Sequence, residues 1–233
     1  DMTAGRGGDS LVGCSTQEAE ILIRQVAAFH AHWWENSTLS QWDWLQRAAD
    51  EEKITEIIRR AWRPFRQRYT DLLPTWAIST AERALRQLPD IFCLFREGPI
   101  TLTHGDLQAD NIRFDLPDAP LAIFDWQLAA PMQGAKDVSY FLARSLSVPL
   151  RRAKEDHLVE VYYAALVDAG VQGFSLETLR RQMKLYSLTF FLTLISSGVN
   201  LDFSNERGKQ LFEAFLKRNI AVLEDHDVWE ALS

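Results

Sequence analysis

The sequence predicts a mainly α-helical α+β fold in which a small β-hairpin region sits among helices, and three observations predict it. Apolar residues recur at helical spacing in segments on both sides of residues 100–124. Between those segments lie three short β-prone runs, Ile100-Thr101-Leu102-Thr103, Asn111-Ile112-Arg113-Phe114 and Leu121-Ala122-Ile123-Phe124. No internal repeat, low-complexity stretch or linker interrupts the 233 residues, so residues 1–233 are expected to form a single unit.

The elements follow in order. After a Gly-rich start, Ser15-Thr16-Gln17-Glu18 has the S-x-x-E form of a capping box, and Leu22, Val26, Phe29 and Trp33 follow at helical spacing. This predicts a first helix ending near Trp34. Ile54, Ile57, Ile58, Trp62, Phe65 and Tyr69 mark a second, with Pro64 predicting a kink or break near Arg63. A short helix is expected from Ser79 or Thr80 to just before Pro89. Leu116-Pro117-Asp118-Ala119-Pro120 reads as the turn of a hairpin. Helical period then returns over residues 138–146, 151–169 with Gly170 as its C′ residue, 176–197 and 205–223.

Composition narrows the function. Asp plus Glu outnumber Lys plus Arg by 32 to 25, a formal charge of -7 that opposes attraction to nucleic acid or anionic lipid. The longest apolar stretch, residues 185–195, falls short of the ~20 residues a membrane span needs and reads as a buried core helix. No basic n-region with an apolar h-region opens the chain, so no secretory signal is read and a cytoplasmic location is expected. Cys14 and Cys93 form no C-x-x-C pair and are expected as free thiols.

Polar residues crowd into the β region. Thr103-His104-Gly105-Asp106-Leu107-Gln108-Ala109-Asp110-Asn111 puts an Asp and an Asn five residues apart across a loop, and Asp125 closes the last β-prone run. An Asn carbonyl and a carboxylate are hard oxygen ligands suited to Mg²⁺, which keeps several waters and is completed by substrate phosphates. A second carboxylate beside it can accept the proton of an attacking hydroxyl. Those are the parts phosphoryl transfer requires. Asp-Asn pairs in loops are also ordinary turn chemistry, which Asp110 or Asp115 would serve, and His104 reads as a hydrogen-bonded core histidine.

His104-Gly105-Asp106 with Asn111, then Asp125-Trp126-Gln127, then Asp137-Val138-Ser139-Tyr140-Phe141-Leu142 resembles the catalytic core of the aminoglycoside phosphotransferase and choline kinase superfamily. That superfamily is a branch of the protein-kinase-like fold, and the Asp-Trp-Gln and Asp-x-x-Tyr-Phe-Leu motifs look most similar to its ecdysteroid-kinase-like branch. The resemblance implies Asp106 as catalytic base, Asn111 and Asp125 as Mg²⁺ ligands, and His104 and Asp137 as braces of the catalytic loop. Gln108 takes the position where protein-kinase loops often carry Lys; it can hydrogen-bond phosphate but cannot neutralise it.

The resemblance spans essentially the whole chain but covers only the C-terminal lobe of such an enzyme. No G-x-G-x-x-G loop and no Val-Ala-Ile-Lys-like strand occurs. Asp1-Met2 looks like the segment that follows the hinge between lobes, so the N-terminal nucleotide lobe of the same protein is expected to be absent. With an open site of few preorganised donors, the isolated chain is expected to transfer phosphate from ATP weakly or not at all.

Six of eight tryptophans fall between residues 33 and 76, where such kinases build their acceptor site. Trp33 and Trp62 lie on apolar periodicity and read as core, whereas Trp42, Asp43 and Trp44 stand in a polar stretch and are the candidate acceptor contacts. A neutral or cationic small molecule bearing a hydroxyl is expected. Glu224-Asp225-His226-Asp227 is similar to carboxylate-rich elements that grip aminoglycosides in some relatives, but reads here as a solvated face. Two other readings compete: a non-catalytic kinase-like binding or regulatory module, and a metal-dependent hydrolase using His104, Asp106 and Asp125.

Overall fold

The structure, a computed structural model, describes residues 5–45, 51–95, 97–201 and 204–229. Asp1-Met2, read above as a post-hinge segment, lies outside the described residues. The chain groups into two compact units, Asp1–Arg47 with Gly98–Met183 and Ala48–Glu97 with Lys184–Ser233.

The first unit carries the β structure. Strand β1 (Arg6–Gly7) precedes helix α1 (Thr16–His32), whose start is the expected capping box: Ser15 Oγ accepts from Glu18 N, and Ser15 N donates back to the Glu18 carboxylate. Leu22, Ile23 and Val26 are buried on one face of α1, and α6 (Val148–Asp168) packs there with Leu158, Val161 and Tyr162 buried. Each such side chain contributes roughly 1.5–3 kcal/mol on leaving water. Strand β2 (Thr101–Thr103) pairs antiparallel with β5 (Ala130–Met132), while β3 (Ile112–Phe114) and β4 (Leu121–Ile123) form the expected hairpin, with Ile112 opposite Ile123. β1 adds to the outer side of β3. Helix α5 (Ala135–Ser145) follows β5 directly and begins three residues earlier than the periodicity suggested.

The second unit is helical. It holds α2 (Glu51–Arg68), α3 (Thr75–Arg86), α4 (Leu88–Leu94), residues 184–198 of α7 (Leu176–Gly198) and α8 (Glu206–Asp225). Its core includes Phe65, Leu88, Ile91, Leu188, Phe191, Ile195 and Leu216, so residues 185–195 are the buried core helix that was expected. Two expectations are corrected. The break expected near Arg63 does not occur: helix α2 continues through Pro64, because Ile58, Ala61 and Phe65 bury along its apolar face, with Tyr69 buried just past its end, and together outweigh the ~3 kcal/mol a mid-helix proline costs. The helix expected from Ser79 or Thr80 starts at Thr75 instead, with Pro74 at the N-cap position and no side-chain cap, and Pro89 opens α4 from its first turn, where its missing N–H costs nothing.

Both cysteines are free thiols, Cys14 buried and Cys93 exposed. Among the described residues no helix is long and apolar enough to cross a membrane.

Candidate active site

The site grows from the connection between β2 and β3, all of it within the first unit. Thr103 Oγ1 anchors the end of β2 to Ala130 O at 2.9 Å. The chain then turns at Gly105, whose φ of +86° suits glycine, and a Cβ there would fall inside the Leu128 carbonyl oxygen. Glycine in His-Gly-Asp is thus required by the backbone.

Asp137, in the first turn of α5, clamps that turn from beneath. Its Oδ2 accepts from His104 N at 2.6 Å and its Oδ1 from Gly105 N at 2.9 Å. His30, wholly buried on α1, approaches Oδ2 through Nε2 at 3.3 Å, and its Nδ1 lies 2.7 Å from Tyr162 Oη. One proton arrangement satisfies all three groups: Tyr162 O–H donates to Nδ1, and Nε2–H donates to the carboxylate. Burial pushes the Asp137 carboxyl up, but the His30 hydrogen bond, the Gly105 N–H and the Lys136 charge outweigh it and hold the group below its ordinary value. Burial likewise raises the Tyr162 hydroxyl, so it keeps its proton. Gly134 leaves room for this chain, since a Cβ there would strike Tyr162 Oη.

His104 is the hydrogen-bonded core histidine the sequence suggested. Its Nε2–H donates to Phe124 O at 2.9 Å and its Nδ1 accepts from Asp106 N at 3.2 Å. Both ring nitrogens are engaged, which leaves neither for a metal and counts against a metal-dependent hydrolase site built on His104.

Asp106 is partly open to solvent, and donors converge on its Oδ2: Asn111 Nδ2 at 3.1 Å and Gln108 Nε2 at 3.2 Å. Asn111 Nδ2 also holds the Asp106 carbonyl at 2.8 Å. Tyr140, on α5, hydrogen-bonds Asp106 as well; burial first, then the charge and hydrogen bond of Asp106, raise its hydroxyl pKa well above the ordinary value. Gln108 Oε1 is buried without a hydrogen-bond partner.

Asn111 and Asp125 are neighbours across the hairpin. Phe124 N donates to Asn111 O at 3.1 Å, and Asp125 is the next residue, exposed and in the left-handed conformation at φ +65°. A non-glycine residue held there stores strain of the sort found at functional sites. The donor set fits a hard cation: Asn111 spends its amide N–H groups on Asp106, and its Oδ1 has no hydrogen-bond partner among the described residues, while Asp125 meets only the Gln127 amide at 3.4 Å. Among the described residues no group of three or more His, Cys, Asp or Glu is placed to hold a metal.

Trp42 and Trp44 stack at 5.6 Å, and Trp33 meets Trp42 edge-on at 4.9 Å. Trp33 and Trp42 pack on a small cluster of Leu39, Leu45, Leu102 and Ala129, to which Phe29 and Trp126 also belong. Trp126 in turn meets His104 at 4.7 Å, so the aromatic group abuts the strand that leads into the loop. Trp44 is 65% exposed, and Asp43 is exposed beside it. Trp62 packs against the core of the second unit, in line with its periodicity.

Sequence reading gave no role to four residues of this constellation. His30 and Tyr162 sit on apolar helix faces, where a polar residue gives no signal until its distant partner is known. Tyr140 stood in the Asp-x-x-Tyr-Phe-Leu motif with no role assigned to it, and Lys136 lies one helical turn before it on α5, a spacing beside Asp137 that could have pointed to both.

The chain resembles several solved structures. It superposes on Plasmodium vivax ethanolamine kinase with a TM-score of 0.57 at 11% identity, over 95% of this chain and 61% of that one. Choline kinase from Cryptosporidium parvum Iowa II gives 0.53 at 12% identity, over 97% and 70%. Aminoglycoside phosphotransferase from Alicyclobacillus acidocaldarius gives 0.57 at 14%, over 98% and 69%. At such identities the likeness is one of fold. No curated protein matches by sequence. The profile of family DUF1679, described as "Uncharacterized oxidoreductase dhs-27", matches residues 14–231. That description names an oxidoreductase, whereas the shared fold is that of kinases and phosphotransferases. The chain belongs to the DUF1679 family, and its fold is the one seen in the ethanolamine kinase, choline kinase and aminoglycoside phosphotransferase structures.

Proposed function

We propose that this chain is the catalytic lobe of an ATP-dependent small-molecule O-phosphotransferase. The observation that carries the reading is the loop itself: a solvent-accessible Asp106 carboxylate fixed by Asn111, Gln108 and Tyr140, on a turn clamped by Asp137. Asp106 accepts the hydrogen bond, and then the proton, of the acceptor hydroxyl as its oxygen bonds the γ-phosphorus and the bond to ADP breaks. Asn111 Oδ1 and Asp125 would hold Mg²⁺, which when bound would offset the phosphate charge. Gln108 keeps one amide hydrogen for a phosphate oxygen while the other holds Asp106. Trp42, Asp43 and Trp44 receive a neutral or cationic acceptor, the ring faces suiting an ammonium group.

The chain spans 61% of the length of the ethanolamine kinase it resembles. An N-terminal lobe of the same protein supplies the adenine and phosphate contacts, and residues 1–233 alone turn over ATP poorly. The reading places the enzyme in the cytoplasm. Mg·[γ-³²P]ATP offered with amino alcohols, aminoglycosides and hydroxylated sterols to the full gene product tests it: label on a hydroxyl, lost in Asp106→Asn, is the expected outcome. Binding of an acceptor without any binding of Mg·ATP would make the chain a kinase-like binding module instead.

A further inference from the structure

Lys136 stands in the first turn of α5, beside Asp137. A cation there is disfavoured twice, by the positive end of the helix dipole and by loss of its hydration. Burial lowers its pKa, while the charges of Asp137 and Asp106 support its protonated form. An ammonium carries three N–H donors, and this one gives a single hydrogen bond, to the weak acceptor Met132 Sδ at 3.3 Å. Its other donors have no partner among the described residues. The catalytic loop itself brings no cation, because Gln108 is neutral and already holds Asp106. Its neighbour Asp137 holds the His104 and Gly105 N–H groups that lead into Asp106, so this costly, under-bonded ammonium flanks the turn that presents Asp106, and its field reaches that carboxylate.

We infer that the Lys136 ammonium contacts the transferring phosphoryl group, donating its free N–H groups to the phosphoryl oxygens while Asp106 takes the hydroxyl proton. The inference rests on the phosphotransferase reading. The acceptor oxygen–phosphorus bond forms, the bond from phosphorus to ADP breaks, and Lys136 keeps its protons throughout. It supplies the charge that Gln108 lacks.

The test uses the full gene product, with Mg²⁺ plus inorganic tripolyphosphate and Mg·ATP as probes. Acetylation of Lys136 by an N-hydroxysuccinimide ester, mapped by mass spectrometry, should slow about fivefold or more when a probe is bound, and Lys136→Met should weaken binding about tenfold, as loss of charge-assisted hydrogen bonds does. Lys136→Arg, which keeps the charge, should stay within about threefold of wild type. Unchanged labelling of Lys136 in a wild-type protein that binds the probe overturns the inference, as does wild-type affinity in Lys136→Met, and either leaves the kinase reading intact. If wild type binds neither probe, the kinase reading fails and takes the inference with it. Should Lys136→Met not fold, the labelling of wild type still decides.

Discussion

The backbone N–H of His104 donates to Asp137 Oδ2 at 2.6 Å, tying the loop that carries Asp106 to the first turn of the next helix across 33 residues of chain. Two buried N–H groups depend on this carboxylate, those of His104 and Gly105. In Asp137→Asn one of them faces an amide donor, and an unsatisfied buried group costs about 1–3 kcal/mol. Thermal unfolding should therefore occur some 2–12 °C lower, at roughly 2–4 °C per kcal/mol for a chain of this size.

The same carboxylate gives a pH signature. Its folded pKa is depressed, so its stabilisation is present above the unfolded value near 4 and lost as pH falls through the lower folded value. Acid titration of stability should show a steeper loss below about pH 4 in wild type than in Asp137→Asn. Parallel curves would mean that the clamp carries no charge.

Gly105→Ala should be worse for activity than for folding. The residue's φ of +86° disfavours any Cβ, at about 1–3 kcal/mol, and the clash with Leu128 O shifts the neighbouring Asp106. A displacement on the order of 1 Å costs roughly 10²-fold in rate, so kcat should fall by about that factor in a protein that still unfolds cooperatively.

Tyr140→Phe removes one hydrogen bond from Asp106 while keeping the ring that Arg144 stacks on at 4.3 Å. The expected result is a kcat lowered about tenfold with little change in acceptor KM. Because the hydroxyl pKa is raised on folding, its ionisation destabilises the folded state as pH rises above about 10, and the variant should lose that alkaline slope.

Trp44→Ala should leave stability within about 0.5 kcal/mol, as befits a ring 65% exposed, yet raise acceptor KM several-fold without changing KM for ATP. Equal effects on both constants would move the acceptor site away from the aromatic group.

Local signals were easy to read in the sequence and distant ones were not. The α1 capping box, the β3–β4 hairpin and the buried α7 segment are each encoded within a few residues of one another. Strand β5 was missed because Ala130-Pro131-Met132 has neither alternation nor β-branched residues and is defined only by its partner β2. The unbroken course of α2 through Pro64 depends on burial of Ile58, Phe65 and Tyr69, which outweighs the local rule. At the site, the motif residues were legible because spacing carries them: Asn111 does bond Asp106, and Asp137 does hold the loop. The His30–Tyr162 support and the approach of Lys136 and Tyr140 to Asp106 come from the packing of α1, α5 and α6, which no single stretch of chain reveals.

The central claim is that Asp106 is the base of a phosphoryl transfer. Transfer of ³²P from Mg·[γ-³²P]ATP to a hydroxyl acceptor by the full gene product, wild type against Asp106→Asn, measures it directly. Asn preserves a side-chain oxygen for Gln108 and Asn111, so the variant should fold as wild type does while its rate falls about 10²–10⁴-fold. Transfer that persists at the wild-type rate in Asp106→Asn would contradict the assignment.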